Sequence, residues 1–246
     1  MFVDVVDLRD FYKARLGQVA RRQIRARLRL MWPDLSGMRL LGLGYATPYL
    51  RPYLAEAERV FSIMPASQGV LPWPVGERNL TALADEGELP LQDYSIDRVL
   101  LVHGLEFSEH SRALLNEIWR VLAGGGRLLV VAPNRRGMWA RNAGSPFGQG
   151  NPYTTGQLSR LLREASFTPE RADAALFVPP TRWRVILRSA GAWERIGGRW
   201  FNTFGGVAMV EATKQLYKPM AARAERRRLI YVPVAQGAPL GPVPSR

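Results

Sequence analysis

Cysteine is absent from this chain of 246 residues, and histidine occurs only twice, as His103 and His110. Without a thiol the chain forms no disulfides, binds no metal through thiolates and uses no cysteine nucleophile. Two histidines do not favour a protein-built zinc site, so no metal is predicted. We expect a reducing, cytoplasmic setting.

Long apolar runs are also missing. No stretch reaches the roughly 18 consecutive apolar residues of a membrane-spanning helix. The first residues carry acids and no apolar core, which is unlike a secretory signal. Hydrophobic residues make up 47% of the chain and charged residues 22%, the balance of an ordinary globular protein. The length suffices for one sizeable α/β domain with appendages.

Acidic residues are few beside basic ones. The chain has 21 Asp and Glu against 34 Lys and Arg, a net charge of +13 and a pI of about 10.9. Such an excess favours anionic partners, and we expect RNA or an acidic protein. The alternative is a composition that simply uses arginine where other proteins use lysine. The basic clusters lie in the N-terminal segment, in residues 135–141 and in the tail, which contains Arg223, Arg226, Arg227 and Arg228.

The N-terminal segment is the first region with a clear pattern. Apolar residues recur at three- and four-residue steps over residues 7–32, which predicts one long amphipathic helix that ends before Pro33. Arg21, Arg25 and Arg29 share one face at i, i+4 spacing, where like charges disfavour a helix. Either an anion binds there, or the arginines form a solvated face.

Short apolar runs then alternate with helical segments, which predicts an α/β fold with a doubly wound, mostly parallel sheet. A further helix begins at Thr154 or Thr155, where a threonine can cap its first turn. Two later segments, 167–178 and 206–213, have strand character and fit an antiparallel pair. The predicted parallel strands are 38–43, 59–64, 79–83, 97–103 and 127–132, and the helix before the last of them is 111–122.

A long loop, residues 133–153, follows the fifth strand. It carries Trp139 among Arg135, Arg136 and Arg141, at the rim where a substrate would enter. Arginine beside an aromatic ring is a common way to hold single-stranded nucleic acid. The same residue types also dominate protein interfaces.

The segment Arg39 to Leu50, with the sequence RLLGLGYATPYL, is a strand, a turn of small residues and a helix start. This is the corner of an open α/β sheet that cradles a phosphate or a cofactor. Gly42 and Gly44 alone are a weak signal. Three further motifs follow in order: Asp85 before Leu89-Pro90-Leu91, the strand and rim from Ser95 to Glu106, and the run EIWRVLAGGGRL from Glu117 to Leu128.

With these four motifs the chain resembles the class I S-adenosylmethionine-dependent methyltransferases over about residues 36–213. The resemblance implies a Rossmann-like sheet of seven strands with one reversed. It also implies S-adenosyl-L-methionine as the cofactor, bound across the carboxyl ends of the first strands. The predicted parts are a basic amphipathic N-terminal helix (1–35), a methyltransferase-like domain (36–213) and a basic, partly flexible tail (214–246).

The resemblance also implies site residues. Asp85 corresponds to the acid that meets the adenine amino group, and His103 lies beside the methyl group. His103 is either a general base or a packing residue under the cofactor. Glu106 is either a contact to substrate or cofactor, or a solvated loop acid or helix cap. The predicted catalytic residues are His103 and Glu106, and the predicted cofactor-binding residues are Gly42, Gly44, Tyr45, Ala46, Met64, Asp85, Gly87 and His103.

The chain departs from the family pattern at several of these positions. Gly42 stands where the family has an acid, and Ala46 and Pro48 stand where it has glycines. Met64 replaces the acid that holds the ribose hydroxyls, and a thioether is only a weak hydrogen-bond acceptor. Ser67 and Gln68 lie three and four residues after Met64, and each carries an oxygen that can accept such a hydrogen bond and partly replace the acid.

Two hypotheses follow. The first is methyl transfer from S-adenosylmethionine to an unknown acceptor by direct displacement, a reaction that depends mainly on alignment. The alternative is a methyltransferase-fold protein with weakened catalysis that binds RNA or a partner protein through its basic segments. The substituted glycine loop favours the alternative, whereas Asp85 and the glycine turn after Leu122 favour the enzyme.

Overall fold

The computed structural model describes residues 4–181, 183, 186–187, 189–200 and 202–215. Its strands are β1 Arg39–Gly44, β2 Arg59–Pro65, β3 Thr81–Ala84, β4 Ile96–Val102, β5 Leu122–Pro133, β6 Phe167–Ala175 and β7 Val207–Lys214. They form one seven-stranded sheet in the order β3-β2-β1-β4-β5-β7-β6. β1 to β5 pair in parallel, and β7 runs antiparallel to both of its neighbours. The predicted sheet with one reversed strand is therefore confirmed.

Helices cover both faces of the sheet: α1 Val5–Lys13, α2 Arg15–Met31, α3 Thr47–Leu50, α4 Ser111–Val121, α5 Thr155–Glu164 and α6 Ala190–Trp200. Successive side chains of a strand point to opposite faces. Leu100 therefore packs in one apolar cluster with Leu8 of α1 and Ile24 of α2. Leu101 packs in the other cluster with Leu115 of α4. This division places α1 and α2 on the same side of the sheet.

The single helix predicted for residues 7–32 is wrong in one respect, because the chain forms two helices there. Ala14 between them is extended, with φ −68° and ψ 157°. Gly17, in the first turn of α2, approaches the end of α1 so closely that a Cβ there would lie 2.0 Å from the Phe11 carbonyl oxygen. A sharp turn between two amphipathic helices leaves the apolar periodicity intact, and the sequence pattern therefore does not reveal it.

The parallel strands begin and end within about two residues of their predicted bounds, except that β5 starts early. Leu122 already pairs with Ile96, and regular pairing then resumes at Arg127 with Arg98. The glycine turn between them forms an irregularity inside β5 rather than its beginning. Thr154 caps α5 as predicted, because its side chain accepts the Gln157 N–H and Gln157 reaches back to the Thr154 N–H.

Buried polar contacts attach α2 to the sheet. Trp32, which directly follows α2, donates its Nε1–H to Glu211 Oε1 of β7 at 2.8 Å. Arg127 of β5 meets the same carboxylate at 3.2 Å. On the outer side, Arg29 holds Glu56 in a two-pronged ion pair of 2.6 and 2.7 Å. Both sets of contacts lie at the C-terminal end of α2 and hold that end in place.

The 135–141 loop differs from the expectation of an aromatic platform. Trp139 is fully buried, packs edge-on against Phe147 at 5.4 Å, and donates its Nε1–H to the Val178 carbonyl at 2.8 Å. A ring in that position cannot stack on a base, so this part of the nucleic-acid interpretation is wrong. Most of the predicted basic tail, including Arg223 and residues 226–228, lies outside the described residues. In the described part of the chain, no helix is long and apolar enough to cross a membrane.

Candidate active site

The carboxyl ends of β1 and β4 meet at the point where the strand order reverses. Gly44, the last residue of β1, lies opposite Val102, the last residue of β4. The next residue, Tyr45, donates its N–H to the Val102 carbonyl at 2.8 Å. In open α/β sheets the ligand crevice lies at this reversal point. The first side chains beyond the two strands therefore define the candidate site.

His103 and Glu106 form a buried pair in this crevice. His103 Nδ1 lies 3.0 Å from Glu106 Oε1, and both residues are only 1% exposed. His103 has φ 50°, the left-handed region, because the chain turns sharply as β4 ends. Glu106 is not the solvated loop acid that the sequence also allowed. Its other oxygen, Oε2, has no hydrogen-bond partner among the described residues.

Tyr12 of α1 forms a hydrogen bond with the second nitrogen of the His103 ring, Nε2. Its Oη lies 2.7 Å from His103 Nε2 and 2.7 Å from the Oη of Tyr49. Glu106, His103, Tyr12 and Tyr49 thus form a continuous hydrogen-bonded chain, and all four are buried. An imidazole held between a carboxylate and a hydroxyl is set up for proton exchange. In this arrangement, however, Nε2 is bound to the protein's own tyrosine.

α1 lies across the carboxyl edge and is held there at several points. The Val5 N–H donates to the Gln68 carbonyl at 2.9 Å, and the Gln68 side chain donates to the His103 carbonyl at 2.7 Å. Leu8 is fully buried. The Tyr12 ring stacks on Tyr45 with 5.8 Å between centroids. One short helix therefore contacts the residues after β1, β2 and β4 together.

The two halves of the expected cofactor crevice differ. Near Asp85 a cavity of about 260 Å³ is open, with Ser67 and Phe107 also in its wall. This end offers a carboxylate for the adenine amino group and a hydroxyl for the ribose, so its residues fit the adenosine part of S-adenosylmethionine. Cavities that hold whole ligands enclose about 300–1,000 Å³. The other half, between Tyr45 and His103, is filled by Tyr12. We therefore expect the methionine part to bind only after α1 has moved.

The glycine loop shows why the family pattern is altered. A Cβ on Gly42 would lie 2.6 Å from Leu50 Cδ1 and 2.9 Å from Ala46 Cβ, so an acid at this position would require the Leu50 side chain to shift. Gly44 has φ 71° and a Cβ there would meet the Val102 carbonyl at 2.3 Å, which requires glycine. Ala46 is right-handed helical, so glycine is not needed. Met64 is buried in the core at the end of β2.

Asp85 and Gly87 lie beyond β3. Asp85 Oδ1 accepts the Gly87 N–H at 2.7 Å, which holds the carboxylate in a short turn. The structure thus brings His103 and Glu106 together with Gly44 and Tyr45, and it places Asp85 in the separate 260 Å³ cavity. Which of the predicted residues bind the cofactor stays a prediction.

The sequence did not reveal the residues that close the site. Tyr12 has the spacing of an ordinary core residue of an amphipathic helix, and Phe147, whose ring lies 4.9 Å from that of His103, belongs to a loop without periodicity. Gln68, by contrast, had a signal in the sequence, because it is a polar residue shortly after the apolar strand β2. Its hydrogen bond goes to the His103 backbone instead of to a ribose.

Strongly alkaline pH is expected to lower the stability of the folded protein through its buried tyrosine cluster. Burial raises the pKa of Tyr12 well above its usual value, and burial raises the pKa of Tyr45 to about 12. Each buried tyrosine keeps its proton in the folded chain and loses it near pH 10 in the unfolded chain. Its contribution is complete below about pH 10 and declines toward pH 12, by up to about 1.4 kcal/mol per pH unit for each group.

The measurement is the free energy of unfolding as a function of pH for the wild type and Tyr12→Phe. The variant should lose stability less steeply above pH 10. Tyr94→Phe is the matched control, because that ring is 52% exposed. Equal slopes for Tyr12→Phe and the wild type would contradict the burial of the Tyr12 hydroxyl.

The strand order and the crevice at the reversal point define a Rossmann-like fold of the class I methyltransferase type. Comparison with known proteins agrees with this class. A family profile described as a methyltransferase domain matches residues 42–130. A demethylmenaquinone methyltransferase of Corynebacterium efficiens is 31% identical over 87% of this chain and 92% of its own length. The chain therefore belongs to the S-adenosylmethionine-dependent methyltransferase family, whose members transfer a methyl group from that cofactor.

Two further similarities support the assignment. A ubiquinone/menaquinone biosynthesis C-methyltransferase of Rubrivivax gelatinosus is 26% identical over 71% of this chain and 69% of its own length. The crystal structure of an S-adenosylmethionine-dependent methyltransferase from Thermotoga maritima has a TM-score of 0.59 and 17% identity, covering 86% of this chain and 96% of that one. At that identity the structural similarity speaks for the fold alone.

Proposed function

We propose that this methyltransferase acts on a ring carbon next to a hydroxyl group of an aromatic acceptor. The observation that carries the proposal is the buried His103–Glu106 pair at the end of β4. The relatives named for demethylmenaquinone and for C-methylation support the acceptor class. Aromatic rings around the pair, those of Tyr12, Phe147 and Tyr45, support a flat apolar acceptor.

The chemistry needs a base and an aligned carbon. S-adenosylmethionine, when bound, supplies the electrophilic methyl group. His103 Nε2, released from Tyr12, accepts the proton of the acceptor hydroxyl, and the resulting negative charge spreads to the neighbouring ring carbon. Glu106 stabilises the imidazolium through Nδ1. The hydrogen of the methylated carbon then leaves as a proton to solvent, and the ring oxygen recovers its proton from His103, which restores the aromatic ring and its hydroxyl.

The test is methyl transfer to a reduced, demethylated naphthoquinone, kept as the hydroquinone with dithionite. We expect a carbon-methylated product, identified by mass spectrometry and NMR. The oxidised quinone is the matched control, because it lacks the hydroxyl and should not react. Cofactor binding without any transfer to the hydroquinone would contradict the acceptor class. Transfer to oxygen instead of carbon would contradict the proposed role of the ring carbon.

One observation favours the alternative of a protein with weakened catalysis, namely that α1 fills the methionine half of the crevice. A chain that binds no S-adenosylmethionine even after α1 has been loosened would be such a binding module.

Location in the cytoplasm, expected from the sequence, is likewise part of the proposal, and subcellular fractionation tests it.

A further inference from the structure

The arginines of α2 do not form a flat solvated face. Together with residues of α1 and of the turn after α3 they line a concave cavity of about 370 Å³, here named the basic cavity. Its cationic side chains are Arg9, Lys13, Arg21, Arg25 and Arg51. A second cavity of about 470 Å³ adjoins it and shares Arg21 and Arg25. No carboxylate lines either cavity within the described part of the chain.

Most of these cations lack an acidic partner. Arg9 is paired with Asp10 at 2.8 Å. By contrast, Lys13, Arg21 and Arg25 form no ion pair with the described residues, and neither does Arg51. Arg29, one turn further along the same helix, differs from them because its charge is neutralised by an ion pair with Glu56. The charge of the basic cavity is therefore uncompensated.

The spacing of the cations suits a ligand with more than one phosphate. Arg21 and Arg25 are one turn apart, about 6 Å along the helix axis, and Arg51 reaches the cavity from another element. One phosphate ester carries a charge of about −1.5 to −2. A single phosphate would thus leave several of the cations unpaired. A diphosphate or triphosphate is long enough to contact both Arg21 and Arg25, which lie on successive turns of α2. Thr47 adds a hydroxyl donor to the wall.

A nucleic-acid strand fits the same groove less well. Binding of single strands depends on aromatic faces on which bases stack. Tyr12 and Tyr45 in the wall of the basic cavity are buried, and Trp73 is the one half-buried aromatic residue of this cavity in the described part of the chain. A single ring of this kind offers little stacking surface beside so many cations, which favours a small polyphosphate.

We propose that the basic cavity is a binding site for a small molecule that carries a diphosphate or triphosphate group. The site is distinct from the His103–Glu106 pair and does not depend on the methyl acceptor. Tyr12 and Tyr45 form part of its wall, so a bound polyphosphate lies against the outer side of α1.

The test uses inorganic pyrophosphate and tripolyphosphate with the full chain, at constant ionic strength. Calorimetry and the melting temperature should show saturable binding to the wild type. Arg21→Gln/Arg25→Gln should weaken that binding at least tenfold, because charge-assisted hydrogen bonds to both phosphates are lost. The matched control is Arg160→Gln/Arg163→Gln, which removes two exposed charges from α5. Arg21→Lys/Arg25→Lys should bind detectably and shows that folding is intact.

Three results would overturn the proposal. Equal binding by Arg21→Gln/Arg25→Gln and its control would place the site elsewhere. Sulfate as effective as pyrophosphate at equal ionic strength would reduce the effect to general charge screening. Capture by phosphatidylglycerol vesicles or by a single-stranded RNA, lost in the glutamine variant and not displaced by pyrophosphate, would assign the arginines to a membrane surface or a nucleic acid.

Discussion

Leu8→Ala is expected to tighten the binding of S-adenosylhomocysteine while it lowers the melting temperature. Leu8 is fully buried under α1, and loss of a buried leucine side chain typically costs about 2–5 kcal/mol. Because this lost packing energy stabilised α1 against the sheet, the population of molecules with α1 away from the crevice should rise at least about tenfold. The apparent affinity of a ligand scales with the fraction of competent protein. The apparent dissociation constant should therefore fall at least about tenfold.

A matched variant separates this effect from general destabilisation. Leu162 of α5 is equally buried, but it belongs to the cluster on the other face of the sheet. Leu162→Ala should lower the melting temperature by a similar amount and leave the affinity for S-adenosylhomocysteine unchanged. Calorimetric titration of both variants is the measurement. Weaker or unchanged binding by Leu8→Ala would show that α1 supports the cofactor instead of excluding it.

His103→Asn is expected to lower kcat for the aromatic acceptor by about 10²–10⁴, the usual contribution of a general base. Asparagine is the suitable replacement because it tolerates the left-handed backbone that His103 adopts. Glu106→Gln should lower kcat less, since the imidazole remains but its orientation and charge lose their support. In both variants the affinity for S-adenosylhomocysteine should change little compared with kcat.

Glu164→Gln, a change of the same kind at an exposed position of α5, should retain full activity. The comparison of kcat with cofactor affinity distinguishes a role in proton transfer from a structural one. A fall in cofactor affinity that accounts for the whole loss of activity would mean that His103 packs under the cofactor, as the sequence also allowed.

The sheet could be predicted because its evidence is local. Each strand of the parallel part is a short apolar run, and the run from Glu117 to Leu128 resembles one family closely. The antiparallel pair β6 and β7 was predicted only from the strand-like sequences of residues 167–178 and 206–213. Such patterns depend on neighbouring residues, and every strand carries its own evidence.

The closure of the site could not be predicted because its contacts are not local. Tyr12 and His103 are separated by 91 positions in the chain. The turn at Ala14, which directs α1 across the crevice, depends on the close approach of Gly17 to the Phe11 carbonyl. The missing acid at Gly42 was visible in the sequence, but the close approach of the Leu50 side chain to Gly42 was not.

The extended residue Ala14 has a kinetic consequence. It is a single-residue joint between two helices, and we expect α1 to move away from the crevice about this joint without unwinding of either helix. Hinge motions of this size take microseconds to milliseconds. A cofactor that enters only after such a swing associates at a rate that stops rising with its concentration. At saturation the joint at Ala14, and not the diffusion of the cofactor, sets how fast the crevice fills.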